Sequence, residues 1–268
     1  MTEPSLTAAT EAALAAEPQQ RTVLVEHAGK KYIAKRLAAK PRRLMQTLFM
    51  RWLVRNLTGH PLPLRTLALS EAAYSMGYEA QRLSRLADAG VSVPALALQT
   101  QSYLLLEHRG TVVATLLESW PPSVWREQLG QLADELARFH AAGHWHGGAQ
   151  IKNLTMQDGR FTRIDFEENF GEFLPLPAVQ SNDLILFLNS ISLAGPIDEA
   201  EARRLLPLLL RRYSSSNPDP NIVEFLRKAL PWFKRLTKFS SPFRRFSRKG
   251  IRRMEILVEV LDHELTQP

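Results

Sequence analysis

Two short polar motifs separated by one predicted hairpin constrain this chain more than any other feature. In the segment HWHGGAQIKNLTMQDGRFTRIDF, two short runs flank an Asp-Gly turn, a pattern that predicts a β-hairpin. Asn153 stands before the first run and Asp165 follows the second, twelve residues later. The hairpin therefore brings an amide and a carboxylate to neighbouring strand ends. Amide and carboxylate oxygens are both ligands that suit Mg²⁺.

The other elements predict an α+β fold with strands first and helices later. TVLVEHAGKKYIAKRL, which follows Arg21, has apolar-rich runs on either side of an Ala-Gly turn and predicts another hairpin. SEAAYSMGYEAQRLSRLADAG has helical periodicity up to Gly90, and QSYLLLEHRG is typical of a buried strand and its exit. WREQLGQLADELARFHAAG predicts a helix that leads into the first motif, and beyond Asp165 the chain is mostly helical.

Size and composition suit one bilobed domain or two small ones, in a reducing, cytoplasmic setting. A chain of 268 residues that is 45% apolar can bury a substantial core, and it contains no cysteine. Residues 1–20 are Ala-rich and predict a flexible tail, residues 21–109 an N-terminal lobe, and residues 110–268 a helical C-terminal lobe. Every apolar run is far shorter than the roughly 18 to 20 residues that a membrane-spanning helix needs.

Positive charge is concentrated in two segments. Residues 27–70 contain ten Lys or Arg and no acidic residue, and residues 225–254 contain eleven and none. The first includes a predicted basic amphipathic helix over 41–57, inserted in the N-terminal lobe, and the second a basic aromatic segment over 227–253. Such segments favour an anionic partner, above all a membrane surface. The aromatics could instead pack the C-terminal lobe, and nucleic acid is less favoured because no nucleic-acid motif is present.

The order of the motifs resembles the protein-kinase superfamily. His146 precedes Asn153 by seven residues and Asp165 opens the dipeptide Asp-Phe, as in the kinase catalytic and metal-binding segments. The strand-end lysine of YIAK, Lys35, resembles the lysine of the kinase V-A-I-K motif. Glu79 stands where the kinase helix glutamate pairs with that lysine. The resemblance implies binding of ATP and Mg²⁺ at these residues.

Within the superfamily, SMGYEAQRLSRLADAGVSVPALAL looks like the lipopolysaccharide core kinases that act on Kdo and heptose. The resemblance covers about residues 23–188 and implies a bilobed fold, with a small antiparallel β N-terminal lobe and a mainly helical C-terminal lobe. It also implies that Glu107 and His108 lie at the adenine hinge. Asp183 in SNDLILFL resembles the aspartate that braces the catalytic loop, which it would fix together with His146.

The sequence departs from the kinase pattern at two places. Gly148 stands where the catalytic aspartate is expected, which removes the carboxylate that orients the acceptor hydroxyl. No glycine-rich phosphate loop precedes the strand at Val23. Glu167 and Glu168 are the nearest acidic substitutes, and Gln150 could position a hydroxyl without deprotonating it.

Two functions of different classes follow. The motifs favour an ATP-dependent phosphotransferase of the lipopolysaccharide-kinase type, acting on a lipid-linked sugar at the inner face of the cytoplasmic membrane. Gly148 favours instead a pseudokinase that binds nucleotide or a partner and regulates envelope or lipid metabolism without chemistry. A small-molecule kinase resembling the aminoglycoside phosphotransferases normally keeps the aspartate and fits the basic surface poorly. The acceptor and the oligomeric state are not determined by the sequence.

Overall fold

The computed structural model describes residues 5–36, 44–63, 72–240 and 248–266. Within these ranges the chain forms nine α-helices and two antiparallel sheets. The helices are α1 (Leu6–Ala16), α2 (Leu44–Thr58), α3 (Ala72–Asp88), α4 (Val113–Ser119), α5 (Pro122–Ala141), α6 (Leu176–Ile191), α7 (Glu199–Ser216), α8 (Pro220–Ser240) and α9 (Arg248–Thr266). The strands are β1 (Thr22–His27), β2 (Lys30–Arg36), β3 (Leu96–Gln99), β4 (Tyr103–Glu107), β5 (Thr111–Val112), β6 (Leu154–Gln157) and β7 (Arg160–Arg163).

The N-terminal sheet has four strands in the order β1-β2-β4-β3. Because side chains alternate along a strand, the sheet has two faces. One face carries Val23 and Ala34, which form a small core with Leu14 of α1. The other face carries Lys35 and its cross-strand partner Leu104, which belongs to the main core of the molecule. The lysine therefore faces the C-terminal part of the chain.

The flexible tail predicted over residues 1–20 is wrong in its described part, which contains α1. Ser5 caps this helix, and Thr10 and Leu14 are buried. Arg36 of β2 holds its C-terminal end by donating to three backbone carbonyl oxygens in and just after the helix. The Ala-rich composition reflects helix propensity, and a helix with a buried apolar side chain can pack on the sheet.

The predicted basic helix over 41–57 is present as α2, although residues 41–43 lie outside the described residues. Trp52 on this helix is 48% exposed and meets Trp232 of α8 edge-on, with 5.2 Å between the ring centroids. Of the other basic segment, residues 241–247 also lie outside the described residues. The contact between the two tryptophans brings the two acid-free segments of the sequence together.

The C-terminal part is helical around one small sheet, in the order β5-β6-β7. The β6–β7 hairpin turns at Asp158 and Gly159, both with positive φ, as the Asp-Gly signal predicts. The first sheet ends at Glu107 and the second begins at Thr111, so the predicted lobe boundary falls between them. The fold is thus α+β, with a small antiparallel sheet in the N-terminal part and a mainly helical C-terminal part, as predicted. No helix among the described residues is long and apolar enough to cross a membrane.

Candidate active site

Lys35 connects the N-terminal sheet to α3 and to the segment after β7. Its Nζ donates to the two carboxylate oxygens of Glu79 at 2.9 and 2.7 Å and to Oδ1 of Asp165 at 2.5 Å. The side chains of Lys35 and Glu79 are only 8% and 2% exposed. We call these three residues the ionic centre. The structure thus brings together three residues that the motifs singled out from positions far apart in the chain.

The charges of Lys35 and Asp165 stabilise each other in the ionic centre, whereas burial raises the pKa of Glu79 above its ordinary value. Burial lowers the pKa of Lys35, but the negative charges of Glu79 and Asp165 outweigh this effect, so the pKa lies above its ordinary value. Burial raises the pKa of Asp165, but the charge of Lys35 and its hydrogen bond outweigh this and bring the pKa below its ordinary value. Asp165 is therefore ionised at neutral pH, which is the form that binds a metal ion.

The predicted metal ligands lie at neighbouring strand ends. The N–H of Ile164 donates to the carbonyl oxygen of Asn153 at 3.0 Å, so Asn153 lies beside the residue that precedes Asp165. The Asn153 Nδ2 donates to the carbonyl oxygen of Gly148 at 2.8 Å. This bond orients the amide and leaves its Oδ1 as an acceptor. An oriented amide oxygen and an ionised carboxylate form a donor set that fits Mg²⁺.

A third carboxylate lies close to the ionic centre. One oxygen each from Glu79, Asp165 and Glu167 lie within 4.8 Å of one another. The Lys35 Nζ is also 3.5 Å from Glu167 Oε2, so the ammonium group is surrounded by all three carboxylates. This arrangement concentrates negative charge at the point where the two lobes meet.

We call residues 145–150 the catalytic loop after the kinase segment that their sequence resembles, and a buried aspartate of α6 holds this loop. Asp183 accepts hydrogen bonds from the N–H of His146 at 2.5 Å and from the N–H of Gly147 at 2.8 Å. Burial raises the pKa of Asp183, but hydrogen bonds and charge from His140 and His146 bring it below its ordinary value. The aspartate lies where the sequence predicts a brace for this loop.

His146 is enclosed and makes backbone contacts with both ring nitrogens. Its Nδ1 accepts from the N–H of Gly148 at 3.1 Å, which makes Nε2 the protonated nitrogen, donating to the carbonyl oxygen of Ile164 at 3.0 Å. The ring stacks on Phe166 with 4.3 Å between centroids. Burial lowers the pKa of His146 to about 4, so the ring is neutral. We therefore regard His146 as a positioning residue for the loop.

Sequence reasoning missed Arg82, a buried cation of α3. Its guanidinium donates to the carbonyl oxygens of His146 and Glu168 at 3.1 Å each and to that of Trp145. The guanidinium carbon lies 3.5 Å from the ring centroid of Trp145. The helix that carries Glu79 thus also fixes the catalytic loop. The signal in the sequence is the i, i+3 spacing of Glu79 and Arg82, which places both on one helical face.

Gly148 leaves a gap in an otherwise ordered loop. Its backbone is not in the left-handed region, unlike that of Gly147 at φ 89°. A Cβ at Gly148 would lie 3.3 Å from the Asn153 Nδ2 and 3.7 Å from the His146 Nδ1, with no backbone atom among its nearest neighbours. The backbone at this position can therefore carry a larger side chain with a small adjustment of Asn153.

The residues predicted to substitute for the missing aspartate differ in the contacts that they make. Both carboxylate oxygens of Glu167 accept hydrogen bonds from Arg21, so this side chain is not free to orient a hydroxyl in the present arrangement. Glu168 contacts Arg82 through its backbone carbonyl. Gln150 is partly exposed and lies two residues beyond Gly148. Their catalytic roles stay predictions.

The predicted hinge connects the two sheets. The N–H of Glu107 donates to the carbonyl oxygen of Ala95 at 2.9 Å, and the N–H of His108 donates to that of Lys31 at 3.0 Å. Both N–H groups therefore take part in the hydrogen bonds of the sheet. The Glu107 carboxylate pairs with Arg109 at 2.9 Å. Within the described part of the chain, the N–H of Arg109 has no hydrogen-bond acceptor. The free backbone donor of the hinge is therefore one residue beyond the predicted pair.

Comparison with known proteins assigns no family to this chain. No family model matches it, and no curated protein matches it. Among solved structures it is similar to one of WaaP in complex with acyl carrier protein, at 16% sequence identity and a TM-score of 0.39, over 78% of this chain and 83% of that chain. A likeness of this degree assigns neither an activity nor a partner.

Proposed function

We propose that the chain is an ATP-dependent phosphotransferase that uses the ionic centre to bind the nucleotide phosphates. The supporting observation is Lys35, which contacts Glu79 and Asp165 at the same time. Glu79 fixes the ammonium group beside the phosphates, and Asn153 Oδ1 with Asp165 would hold Mg²⁺. When bound, the metal ion supplies charge neutralisation of the phosphates.

An apolar strip beside Lys35 supports nucleotide binding. Leu24, Ile33 and Leu106 lie opposite one another in register across β1, β2 and β4, on the face of the sheet that carries Lys35. Leu24 is 49% exposed although its neighbours in β1 are buried. An adenine ring under this strip would reach the free N–H of Arg109 at the hinge. The strip and the ionic centre are separated along β2 by about one nucleoside, at 3.3 Å per residue.

Binding of Mg-ATP by the purified chain, together with label transfer, tests this function. We expect Asp165→Asn to abolish transfer because the ionised carboxylate is lost, whereas Asp88→Asn, an exposed change at the end of α3, has no effect. Undiminished transfer by the Asp165→Asn variant would refute the catalytic assignment. Loss of transfer in both variants would indicate general instability and is checked by thermal unfolding.

We propose further that the acceptor is a lipid-linked sugar at the inner face of the cytoplasmic membrane. The contact of Trp52 with Trp232 brings the two acid-free segments of the sequence into one basic aromatic surface. Arg235 stacks on the same Trp232, at 5.4 Å from the ring centroid, and Leu48 is also exposed on α2. Aromatic and cationic side chains of this kind bind anionic lipid headgroups, with about 1 kcal/mol for each Lys or Arg near the surface.

Sedimentation with vesicles tests the membrane surface. We expect binding to vesicles that contain anionic lipid, little binding to neutral vesicles, and release at high salt. Trp52→Ala weakens binding several-fold, whereas Leu208→Ala, which removes an exposed leucine of α7, does not. Equal binding to neutral and anionic vesicles would contradict the proposal. An RNA or DNA oligonucleotide that binds more tightly than the vesicles would favour nucleic acid instead.

Gly148 supports a second candidate function, a pseudokinase that binds nucleotide or a partner without phosphoryl transfer. The loop around it is fully braced although the carboxylate is missing. Multiple turnovers of ATP by the wild-type chain, abolished by Lys35→Met, would rule this function out. Stoichiometric ATP binding without turnover would support it.

A further inference from the structure

The chain that enters the ionic centre from the N-terminal side contains no glycine and is anchored as a helix and turn. Arg36 donates to the carbonyl oxygens of Leu14, Glu17 and Gln20, which fixes the turn after α1. The N–H of Arg36 also donates to the carbonyl oxygen of Arg21 at 2.8 Å. This backbone is tied to the sheet and cannot fold over a phosphate chain as a glycine-rich loop does.

Arg21 nevertheless brings a cation from this segment to the ionic centre. Its guanidinium donates to both carboxylate oxygens of Glu167, one of them at 3.4 Å. Glu167 Oε2 is 3.5 Å from the Lys35 Nζ, which in turn is 2.5 Å from Asp165 Oδ1. The side chain of Arg21 is 40% exposed, so it remains accessible to a ligand in the cleft.

The charge balance shows why a second cation is needed. Three carboxylates, Glu79, Asp165 and Glu167, surround Lys35, and Arg21 is the other cation bonded to this group. Phosphates that enter such a site meet one ammonium group already shared among three carboxylates. A guanidinium group offers a planar pair of donors that fits two phosphate oxygens at once. The two carboxylate oxygens of Glu167 accept hydrogen bonds from this pair of donors, as two phosphate oxygens would.

We propose that Arg21 is a phosphate-binding residue of this site, and that Glu167 holds its guanidinium in place until the phosphates of a nucleoside di- or triphosphate displace the carboxylate. This inference rests on the proposed nucleotide binding and specifies which side chain replaces the phosphate loop. Arg21 is placed by the anchored turn, so its backbone stays fixed while its side chain exchanges one anionic partner for another.

Calorimetric titration with Mg-ATP and with adenosine tests the phosphate contact. We expect Arg21→Gln to weaken Mg-ATP binding by about tenfold or more, the effect of losing charge-assisted hydrogen bonds, and to leave adenosine binding unchanged. Arg21→Lys keeps the charge without the planar pair and recovers part of the affinity. Lys30→Gln is the matched control, because it removes an exposed cation of the same hairpin on the sheet face opposite Lys35.

The outcomes separate this inference from the proposed function. Tight Mg-ATP binding by Arg21→Gln, or an equal loss of ATP and adenosine binding, overturns the phosphate role of Arg21 alone. A wild-type chain that binds no ATP overturns both. In EDTA, where no metal ion competes for the carboxylate, Glu167→Gln should bind ATP several-fold more tightly. Unchanged or weaker binding in EDTA overturns the holding role of Glu167.

Discussion

The ionic centre and the catalytic loop are neighbours, since His146 of the loop bonds to the carbonyl oxygen of Ile164 beside Asp165, but they are built in different ways. In the ionic centre, Lys35, Glu79 and Asp165 interact directly through their side chains. In the catalytic loop, Asp183 and Arg82 hold backbone groups, while the position of the catalytic carboxylate is occupied by Gly148. The ionic centre thus consists of charged side chains in contact with one another, whereas the contacts of the catalytic loop mainly hold its backbone in place.

This difference shows that the shape of the loop does not depend on a catalytic carboxylate. Asp183 accepts two backbone N–H groups, and Arg82 donates to three carbonyl oxygens around the loop. None of these contacts involves a side chain at Gly148. The loop can therefore keep its conformation whether or not it performs chemistry, and the variants below test each region separately.

Lys35→Met should have the largest effect, because it leaves Glu79 buried beside Asp165 without a counter-ion. Breaking a buried ion pair by removing one partner costs about 3 to 5 kcal/mol of unfolding free energy. Denaturant unfolding measures this loss, and Mg-ATP binding should disappear with it. Lys30→Met, an exposed change on the same strand but on the opposite face of the sheet, should leave both unchanged.

A double variant separates stability from function in the ionic centre. Replacing Glu79 as well, in Lys35→Met/Glu79→Leu, removes the unpaired buried charge, and we expect most of the lost stability to return. Nucleotide binding should stay absent. If the double variant is as unstable as Lys35→Met, the cost comes from packing and the electrostatic account of the ionic centre is wrong.

Asp183→Ala should destabilise the catalytic loop by a somewhat smaller amount. The change leaves the buried N–H groups of His146 and Gly147 without an acceptor, at about 1 to 3 kcal/mol for each, so we expect a loss of about 3 kcal/mol. Glu224→Ala, on the exposed surface of α8, is the control and should cost less than 1 kcal/mol. Similar unfolding midpoints for the two variants would show that the loop is held by other contacts.

Several of these features could be predicted from the sequence because they follow from local spacing. The hairpin that places Asn153 beside Asp165 depends on one turn, and the helix that carries Glu79 depends on its own periodicity. The position of Asp183 also followed from a motif. In each case a short segment determines the local structure, and the rest of the fold determines only how that segment is oriented.

The features that could not be predicted depend on contacts between distant segments. Arg82 donates to carbonyl oxygens from 63 to 86 residues further along the chain. Every residue has a carbonyl group, so the sequence does not indicate which ones accept these hydrogen bonds. The burial of α1 requires the outer face of the sheet to exist first, so composition alone suggested a tail. The pairing of Arg21 with Glu167 spans 146 residues and joins two side chains that are unremarkable in isolation.

His146 makes the stability of the catalytic loop dependent on pH. Its pKa is about 4 in the folded chain, against about 6.5 when unfolded, so between these values the unfolded chain binds more protons. Stability should therefore fall as the pH falls from 6.5 to 4, by at most about 3.5 kcal/mol, at about 1.4 kcal/mol for each pH unit. Above pH 6.5 this contribution is complete.

The variant His146→Gln isolates this effect, because glutamine keeps one donor and one acceptor but does not titrate. Buried His140 also has a lowered pKa, caused by burial, so the wild-type slope contains both histidines. The difference between the two unfolding curves across pH 4 to 6.5 reports His146 alone. Parallel curves would mean that His146 does not become charged on unfolding within this window.

Gly148→Asp should have the smallest effect on stability and the most direct effect on chemistry. A Cβ fits at this position with a small movement of the Asn153 amide, and the backbone conformation is open to aspartate. If the movement of the Asn153 amide stays small, ATP affinity should change little. If the chain is a phosphotransferase, transfer should rise about a hundredfold, the lower end of what a positioned proton acceptor contributes.

The variant Gly148→Asn is the matched control, because it has the same size as aspartate without the charge. A gain with aspartate and none with asparagine would show that the braced loop is ready for catalysis and lacks only the carboxylate. Equal transfer rates for the wild type and the two variants, with ATP binding intact, would mean that the loop serves a structural or binding role. This result would favour the pseudokinase. A high wild-type rate lowered by aspartate would point to Gln150 as the group that positions the acceptor, because it is the predicted substitute that needs no charge at Gly148.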